Sequence, residues 1–171
     1  GRAGRDGEPA DAWMVYSLAD LISMRRILES SSADDAFKHI QRRKLDSLLG
    51  YCETAECRRK VLLCYFGEDF PKDCGNCDTC LQPPDTWDGT VAAQKALSCV
   101  YRTGQRFGAG HLADVLTANT TARIEKLGHD RIKTFGVGRE MTRQDWFSVY
   151  RQLLAAGLLT VGESAISGFR L

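Results

Sequence analysis

Apolar residues recur at helical spacing in six stretches of the chain. Leu18, Leu21, Ile22, Arg25 and Leu28 predict an amphipathic helix ending near Ser31. Asp34 or Asp35 can open a second helix, with Phe37, Ile40, Leu45, Leu48, Leu49 and Cys52 on its apolar face. These two are expected to pair as an antiparallel hairpin. A third, shorter helix is expected from Cys57 to Phe66, with Val61, Cys64 and Tyr65 facing inward. Val91–Tyr101, Gly110–Thr117 and Asp145–Ala156 supply the remaining three. The last follows Thr142-Arg-Gln-Asp145, a capping-box pattern; its inner face is Trp146, Tyr150, Leu153 and Leu154, and Gly157 suits its C-cap.

Two other patterns predict extended chain. Trp13 to Ser17 is expected as a short buried strand. Leu158–Val161 and Gly168–Leu171 flank Gly162-Glu-Ser-Ala-Ile-Ser and predict a terminal hairpin with Phe169 in its core. Gly67 to Cys80 is a loop, and Gln82-Pro-Pro-Asp-Thr-Trp-Asp-Gly89 is the best boundary, because paired prolines end regular structure. The fold class is therefore mainly α: a helical-hairpin module followed by a winged helix, a helix-turn-helix variant with a small β-hairpin.

Composition narrows the function classes. The 171 residues are 43% apolar and 26% charged, as in ordinary globular domains. A net charge of +1 gives no overall field for a polyanion, so any nucleic-acid surface must come from local clustering. No run of about eighteen apolar residues predicts a membrane span. The first residues lack a signal peptide's apolar core and an initiator Met, so the chain is expected to begin inside a larger protein. Seven cysteines, an odd number, argue against a disulfide framework and for a reducing compartment. Cys52, Cys64 and Cys99 are expected as semi-buried thiols.

The other four cysteines carry chemistry. Cys74-Gly-Asn-Cys77-Asp-Thr-Cys80 is two C-x-x-C steps sharing a cysteine, and Cys57 lies upstream at a predicted helix start. Four thiolates close a tetrahedral zinc site with no open position, so the expected role is structural. An iron–sulfur cluster would also take four cysteines, and Cys52 is the rival fourth ligand. A redox C-x-x-C would need a thioredoxin-like setting that the pattern lacks. At the other end, Gly1-Arg2-Ala-Gly4-Arg5-Asp6-Gly7 combines fork-shaped cations with glycines that let backbone approach a ligand. A flexible cationic end is the plainer reading of those seven residues.

Together these words resemble the RecQ family of DNA helicases, bacterial members most. GRAGRDG resembles the last motif of the second RecA-like motor domain. Cys57-Arg-Arg-Lys-Val-Leu-Leu, Tyr65-Phe66-Gly67-Glu68 and Cys74 to Leu81 resemble the zinc-binding domain. Gln105-Arg106-Phe107-Gly108, Gly128 to Arg139 and the Trp146 helix resemble the winged-helix (RQC) domain. The resemblance implies the end of a motor domain at 1–17, zinc domain at 18–82, linker at 83–89 and winged helix at 90–171. It favours Cys57 over Cys52 as the fourth ligand. It implies an ATP-dependent 3′–5′ helicase using Mg²⁺, acting on duplex, 3′-overhang and branched DNA in repair, recombination, replication and the SOS response. It further implies a cytoplasmic home at the bacterial nucleoid, no membrane partner, and docking of a single-strand-binding protein at the winged helix. Arg5, with Arg2, would be the arginine finger at the γ-phosphate. The phosphate-binding loop Gly-x-x-x-x-Gly-Lys-Ser/Thr occurs nowhere in these residues, so this segment alone is expected to have no ATPase activity.

Arg123, Lys126, Arg131, Lys133, Arg139 and Arg143 fall between the last two helical segments, where cations suit duplex phosphates. Arg131, Lys133, Arg139 and Arg143 are the principal candidates, with Thr142 as a phosphate donor at the helix start. Arg58 and Arg59 (with Lys60) near the metal, and Lys38, Arg42 and Arg43 on the second helix, are weaker, and Arg58 or Arg59 could instead pair with nearby acids. His129 is expected as a capping residue, with a DNA contact as the alternative; His39 and His111 have no evident partner. Glu163 to Ser167 offers no aromatic at the wing tip, so a docking role is favoured over a strand-separating wedge. The competing classes are a zinc/winged-helix transcription regulator and a protein-interaction module.

Overall fold

The computed structural model describes residues 4–162 and 168–171. The wing tip at 163–167 and Arg2 lie outside the described residues. The chain runs α1 (Leu18–Ser30), α2 (Asp35–Glu53), α3 (Arg58–Tyr65), α4 (Asp78–Leu81), α5 (Thr90–Arg102), α6 (Ala109–Leu116), α7 (Ala122–Leu127), a 3₁₀ turn (His129–Arg131), α8 (Arg143–Ala155), β1 (Thr160–Val161) and β2 (Phe169–Arg170). It is mainly helical, as the periodicity predicts.

Caps fix the helix starts. Ser17 and Asp20 form a reciprocal capping box on α1, and Asp34 accepts from the Phe37 N–H at 2.7 Å on α2. Ion pairs set the direction of α2 against α1: Arg25 meets Asp46, while Arg42 grips Glu29 through two bonds of 2.6 Å. As the α1 partner moves from 25 to 29, the α2 partner moves from 46 to 42, so the hairpin is antiparallel.

The second half packs α5, α6 and α8 around Leu112, Leu116, Trp146, Tyr150 and Leu154, all buried. Thr142 and Asp145 form the predicted capping box on α8. At its other end Ala156 is the C-cap, and Gly157 follows in the left-handed region at φ +70°, which glycine enters without a Cβ clash. β1 and β2 pair antiparallel, with Thr160 opposite Arg170 and Val161 opposite Phe169. Phe169 is fully buried against Tyr150. Three helices closed by a hairpin are the expected winged helix.

The two halves differ in their cores. Among the described residues before the linker, Leu21, Leu49, Cys57 and Thr79 are buried; nearly all the rest of the core lies beyond residue 90. The first half therefore buries too little apolar surface to be stable by packing alone. Part of its support comes from α8, against which α2 packs. Glu53, at the end of α2, accepts from Arg151 Nε at 2.9 Å, from Gln152 Nε2 at 2.7 Å and from the Tyr16 hydroxyl. The Gln152 amide also reaches the Glu53 carbonyl at 3.1 Å.

Several expectations are corrected. Trp13 to Ser17 is not a buried strand: it has no ladder partner, and Trp13 is 85% exposed. Its apolar run mimics a strand but has no neighbouring edge to pair with. Cys64 and Tyr65 face solvent, since none of the described residues packs over that side of α3. On α2, Leu49 is buried and Leu45 packs on the core, whereas Phe37, Ile40 and Leu48 are exposed. Of the three semi-buried thiols, only Cys52 is intermediate; Cys64 is exposed and Cys99 fully buried. The short helices α4 and α7 were not predicted, because four and six residues carry too little periodicity.

Candidate metal centre and nucleic-acid face

The loop at 67–77 and the start of α3 bring four sulfurs together. Cys57 is the N-cap of α3, Cys77 the N-cap of α4, and Cys80 lies within α4. Gly75 takes φ +70° between Cys74 and Cys77, a conformation that lets the chain double back. The sulfurs of Cys57, Cys74, Cys77 and Cys80 all lie within 4.8 Å of one another. Cys52, in the last turn of α2, is not among them. Tetrahedral zinc with bonds of about 2.3 Å requires sulfurs about 3.8 Å apart, and Cys74 Sγ lies 4.0 Å from Cys80 Sγ. The donor set and its spacing fit zinc.

The surroundings favour charge on two of the sulfurs. Burial alone would raise the Cys57 thiol, but the backbone N–H groups of Cys74 and Lys60 outweigh it, and its pKa is lowered. Cys74 N–H donates to Cys57 Sγ at 3.3 Å. Burial also opposes ionisation of Cys77, yet its hydrogen-bonded surroundings, Thr79 Oγ1 at 3.3 Å and the N–H groups of Arg58 and Cys80, bring it down to about 5. Its neighbour Cys80 is pushed up to about 12, chiefly by the hydrogen bond with Cys77. Only thiolate is a zinc ligand, so binding the ion would displace the thiol protons that remain.

An outer layer holds the knuckle in place. The buried Thr79 hydroxyl donates to the Glu56 carbonyl at 2.8 Å. Arg58 meets Asp78 at 2.6 Å and donates to the Tyr51 carbonyl at 2.6 Å, stapling α4 to the end of α2. This is the acid pairing that the sequence left open for Arg58. Arg59 is exposed.

In the second half, Arg131, Lys133 and Arg139 are exposed on the segment between α7 and α8. That segment is pinned from behind. Gly136 N–H donates to the Val115 carbonyl at 2.8 Å, Gly138 N–H to the Leu116 carbonyl at 2.9 Å, and Trp146 Nε1 to the Gly138 carbonyl at 2.9 Å. Gly138 must be glycine, because an added Cβ would fall on the Trp146 indole. The cations thus project from a fixed loop. Arg143 instead pairs with Asp114 at 2.8 Å and lies over the Phe147 ring. The Thr142 hydroxyl is engaged with Asp145 as the α8 cap. Lys38 donates to the Glu29 carbonyl, and Arg42 grips the Glu29 carboxylate. Arg5 is exposed on a turn closed by the Gly7 N–H to Gly4 carbonyl bond.

One pairing carries no signature in the residue pattern. His111 Nε2 and His129 Nδ1 lie 2.8 Å apart, with Phe107 stacked on His111 at 4.2 Å between centroids. His129 is thus buried in a pair instead of serving as a helix cap. Burial, then repulsion from His129 and Arg123, lowers His111 to about 4, and burial lowers His129 as well. The unfolded chain takes up these protons near pH 6.5. Stability is therefore complete above pH 6.5 and falls as the pH drops toward 4. Thermal melts at pH 7.5 and 5 should show a smaller acid-induced drop in His111→Gln than in the parent; equal drops would contradict this assignment.

Comparison with known proteins agrees with the geometry. Residues 18–81 match the RecQ zinc-binding family model and residues 83–171 the RQC domain model. The chain is 40% identical to the ATP-dependent DNA helicase RecQ of Pasteurella multocida, over 93% of this chain and 25% of that protein. It is equally similar to the enzyme of that name from Haemophilus influenzae, and 34% identical to that of Bacillus subtilis over 80% of this chain. It thus spans about a quarter of the length of these relatives. With the zinc-binding and RQC matches following one another along nearly its whole length, this chain belongs to the RecQ family.

Proposed function

We propose that this chain is the zinc-binding and duplex-gripping portion of an ATP-dependent 3′–5′ DNA helicase. Cys57, Cys74, Cys77 and Cys80 hold one structural zinc ion, and residues 18–82 and 90–171 are the two modules, joined at 83–89. Arg131, Lys133 and Arg139 contact the phosphate backbone of a duplex, a 3′ overhang or a branched substrate. Phosphate contacts position DNA without reading its sequence, so the preference is for structure. Arg5, with Arg2, completes an ATP·Mg²⁺ site built by motor domains that supply the phosphate-binding loop. A single-strand-binding protein docks at the winged helix, and the enzyme works on the bacterial nucleoid.

The observation that carries this reading is the fixed cationic loop: three exposed cations on backbone locked by Trp146 and the end of α6. The relatives' names, all helicases, support it over a transcription regulator. The test is anisotropy titration of zinc-loaded protein with overhang, forked and blunt DNA across a salt series. Each phosphate contact contributes about 0.9 to the salt slope. The Arg131→Gln/Lys133→Gln/Arg139→Gln variant should lose 2 to 3 units of slope, at about 0.9 per contact, on every DNA. An unchanged slope, or strong sequence selectivity in the parent, would overturn the reading.

A further inference from the structure

Two hydroxyls in the core of the winged half, Thr134 Oγ1 and Tyr150 Oη, meet no partner at hydrogen-bonding geometry among the described residues. Thr134 is 5% exposed and Tyr150 is fully buried. Both nevertheless lie close to one atom. Burial pushes the Cys99 thiol up to about 12, and the Thr134 and Tyr150 hydroxyls each pull it back down. That thiol makes a weak bond of its own, 3.8 Å to the Leu112 carbonyl. The three groups come from different elements: Cys99 from α5, Tyr150 from α8 and Thr134 from the loop that precedes α8. Hydroxyls are unfavourable to bury unpaired, and valine and phenylalanine would fill the same space without them.

The position of Thr134 gives the cluster a use. Lys133 and Thr134 are neighbours on the cationic loop; Lys133 is exposed and Thr134 is buried. The bonds that pin this loop to α6 begin at Gly136. Upstream of them, the Phe135 N–H closes a local turn onto the Ile132 carbonyl at 3.0 Å. Ile132 and Phe135 rest on the core through apolar contact, which has no preferred direction. A hydrogen bond from Thr134 supplies the direction that those contacts lack.

We propose that Thr134 is a positioning residue for Lys133: its hydroxyl and that of Tyr150 donate to the Cys99 sulfur, and this sets where the lysine points. The protons are consistent with such an arrangement. The neutral thiol spends its own proton on the Leu112 carbonyl and keeps lone pairs to accept from both hydroxyls. The contact ties the Lys133 stretch to α5 and α8, separately from the Gly136 and Gly138 bonds to α6. Thr134 is buried behind the loop, so it acts on a bound strand through Lys133 and not by touching it.

This inference rests on the reading that Lys133 contacts DNA. The test is a salt series on zinc-loaded protein with a 3′-overhang duplex, joined to hydrogen exchange of the amides at 132–136, a readout that needs no DNA. Lys133→Gln should lower the salt slope by about 0.9, the value of one contact. Thr134→Val and Tyr150→Phe keep the shape and delete one hydroxyl each. Both should speed exchange at 132–136 several-fold, weaken DNA binding and move the slope toward that of Lys133→Gln, and Thr134→Ser should restore all three. Adding Thr134→Val to Lys133→Gln should weaken binding no further, because the threonine acts through that lysine. A role in packing alone would lower the melting temperature and leave the slope in place. The proposal is overturned if exchange at 132–136 is unchanged in both hydroxyl deletions, or if Thr134→Val keeps the parent's slope while Lys133→Gln lowers it. It is also overturned if Thr134→Val melts higher than the parent with full DNA affinity, the result expected of a hydroxyl that is truly unpaired. A Lys133→Gln protein with the parent's slope would instead remove the DNA reading of that lysine, and the positioning role with it.

Discussion

Cys57→Ser empties the metal centre and unfolds the first half of the chain. Metal analysis should fall from one zinc per chain to none, and α3 and α4 should lose amide protection, while α5 to α8 keep theirs. The expected size follows from the core. Leu21 and Leu49 are the buried aliphatic residues among those described before the linker, and both lean on the other half. Structural zinc contributes on the order of 10 kcal/mol or more to folding, comparable to the whole net stability of a typical domain, about 5–15 kcal/mol. A serine oxygen cannot replace the thiolate at the N-cap of α3, so the loss is nearly complete. A Cys57→Ser protein that kept its zinc and its protection would remove the four-sulfur assignment. Cys52→Ser, outside the cluster, should keep the ion.

Trp146→Ala should cost about 3–5 kcal/mol, read as a lower denaturation midpoint of the winged half. Trp146 is fully buried, and its truncation opens a cavity that α5, α6 and α8 cannot close without moving. It also orphans the Gly138 carbonyl, which the indole satisfies at 2.9 Å. Trp146→Phe separates these terms, keeping most of the volume and losing the hydrogen bond, and should cost about 1–3 kcal/mol. The functional consequence lies in the loop. Lys133 and Arg139 flank the glycines pinned to α6, so loosening Trp146 should weaken DNA binding even below the denaturation midpoint. Full DNA affinity in a folded Trp146→Ala protein would show that the loop needs no such backing.

Much of this was legible in the residues alone, for a physical reason. A helix declares itself through apolar spacing and caps that lie within one element, as Thr142 and Asp145 do on α8. The knuckle Cys74–Cys77–Cys80 declares itself because its ligands are three residues apart, and Pro83-Pro84 because proline breaks structure locally. The same local logic misled at Trp13 to Ser17, where an apolar run looks like a strand but no edge exists to receive it. Short elements such as α4 and α7 carry too few positions for a period to show.

The remaining features join positions far apart in the chain, and no local pattern encodes them. Glu53 meets Arg151 across 98 positions, and His111 meets His129 across 18. Arg58 and Arg143, as cationic in sequence as Arg131 and Arg139, are drawn into Asp78 and Asp114. Residue type and spacing dictated the helices, the metal-binding knuckle and the break between modules, because those interactions close within a few residues. Which cations stay open to a ligand was decided by packing, because an arginine's partner is whatever the folded chain brings within reach.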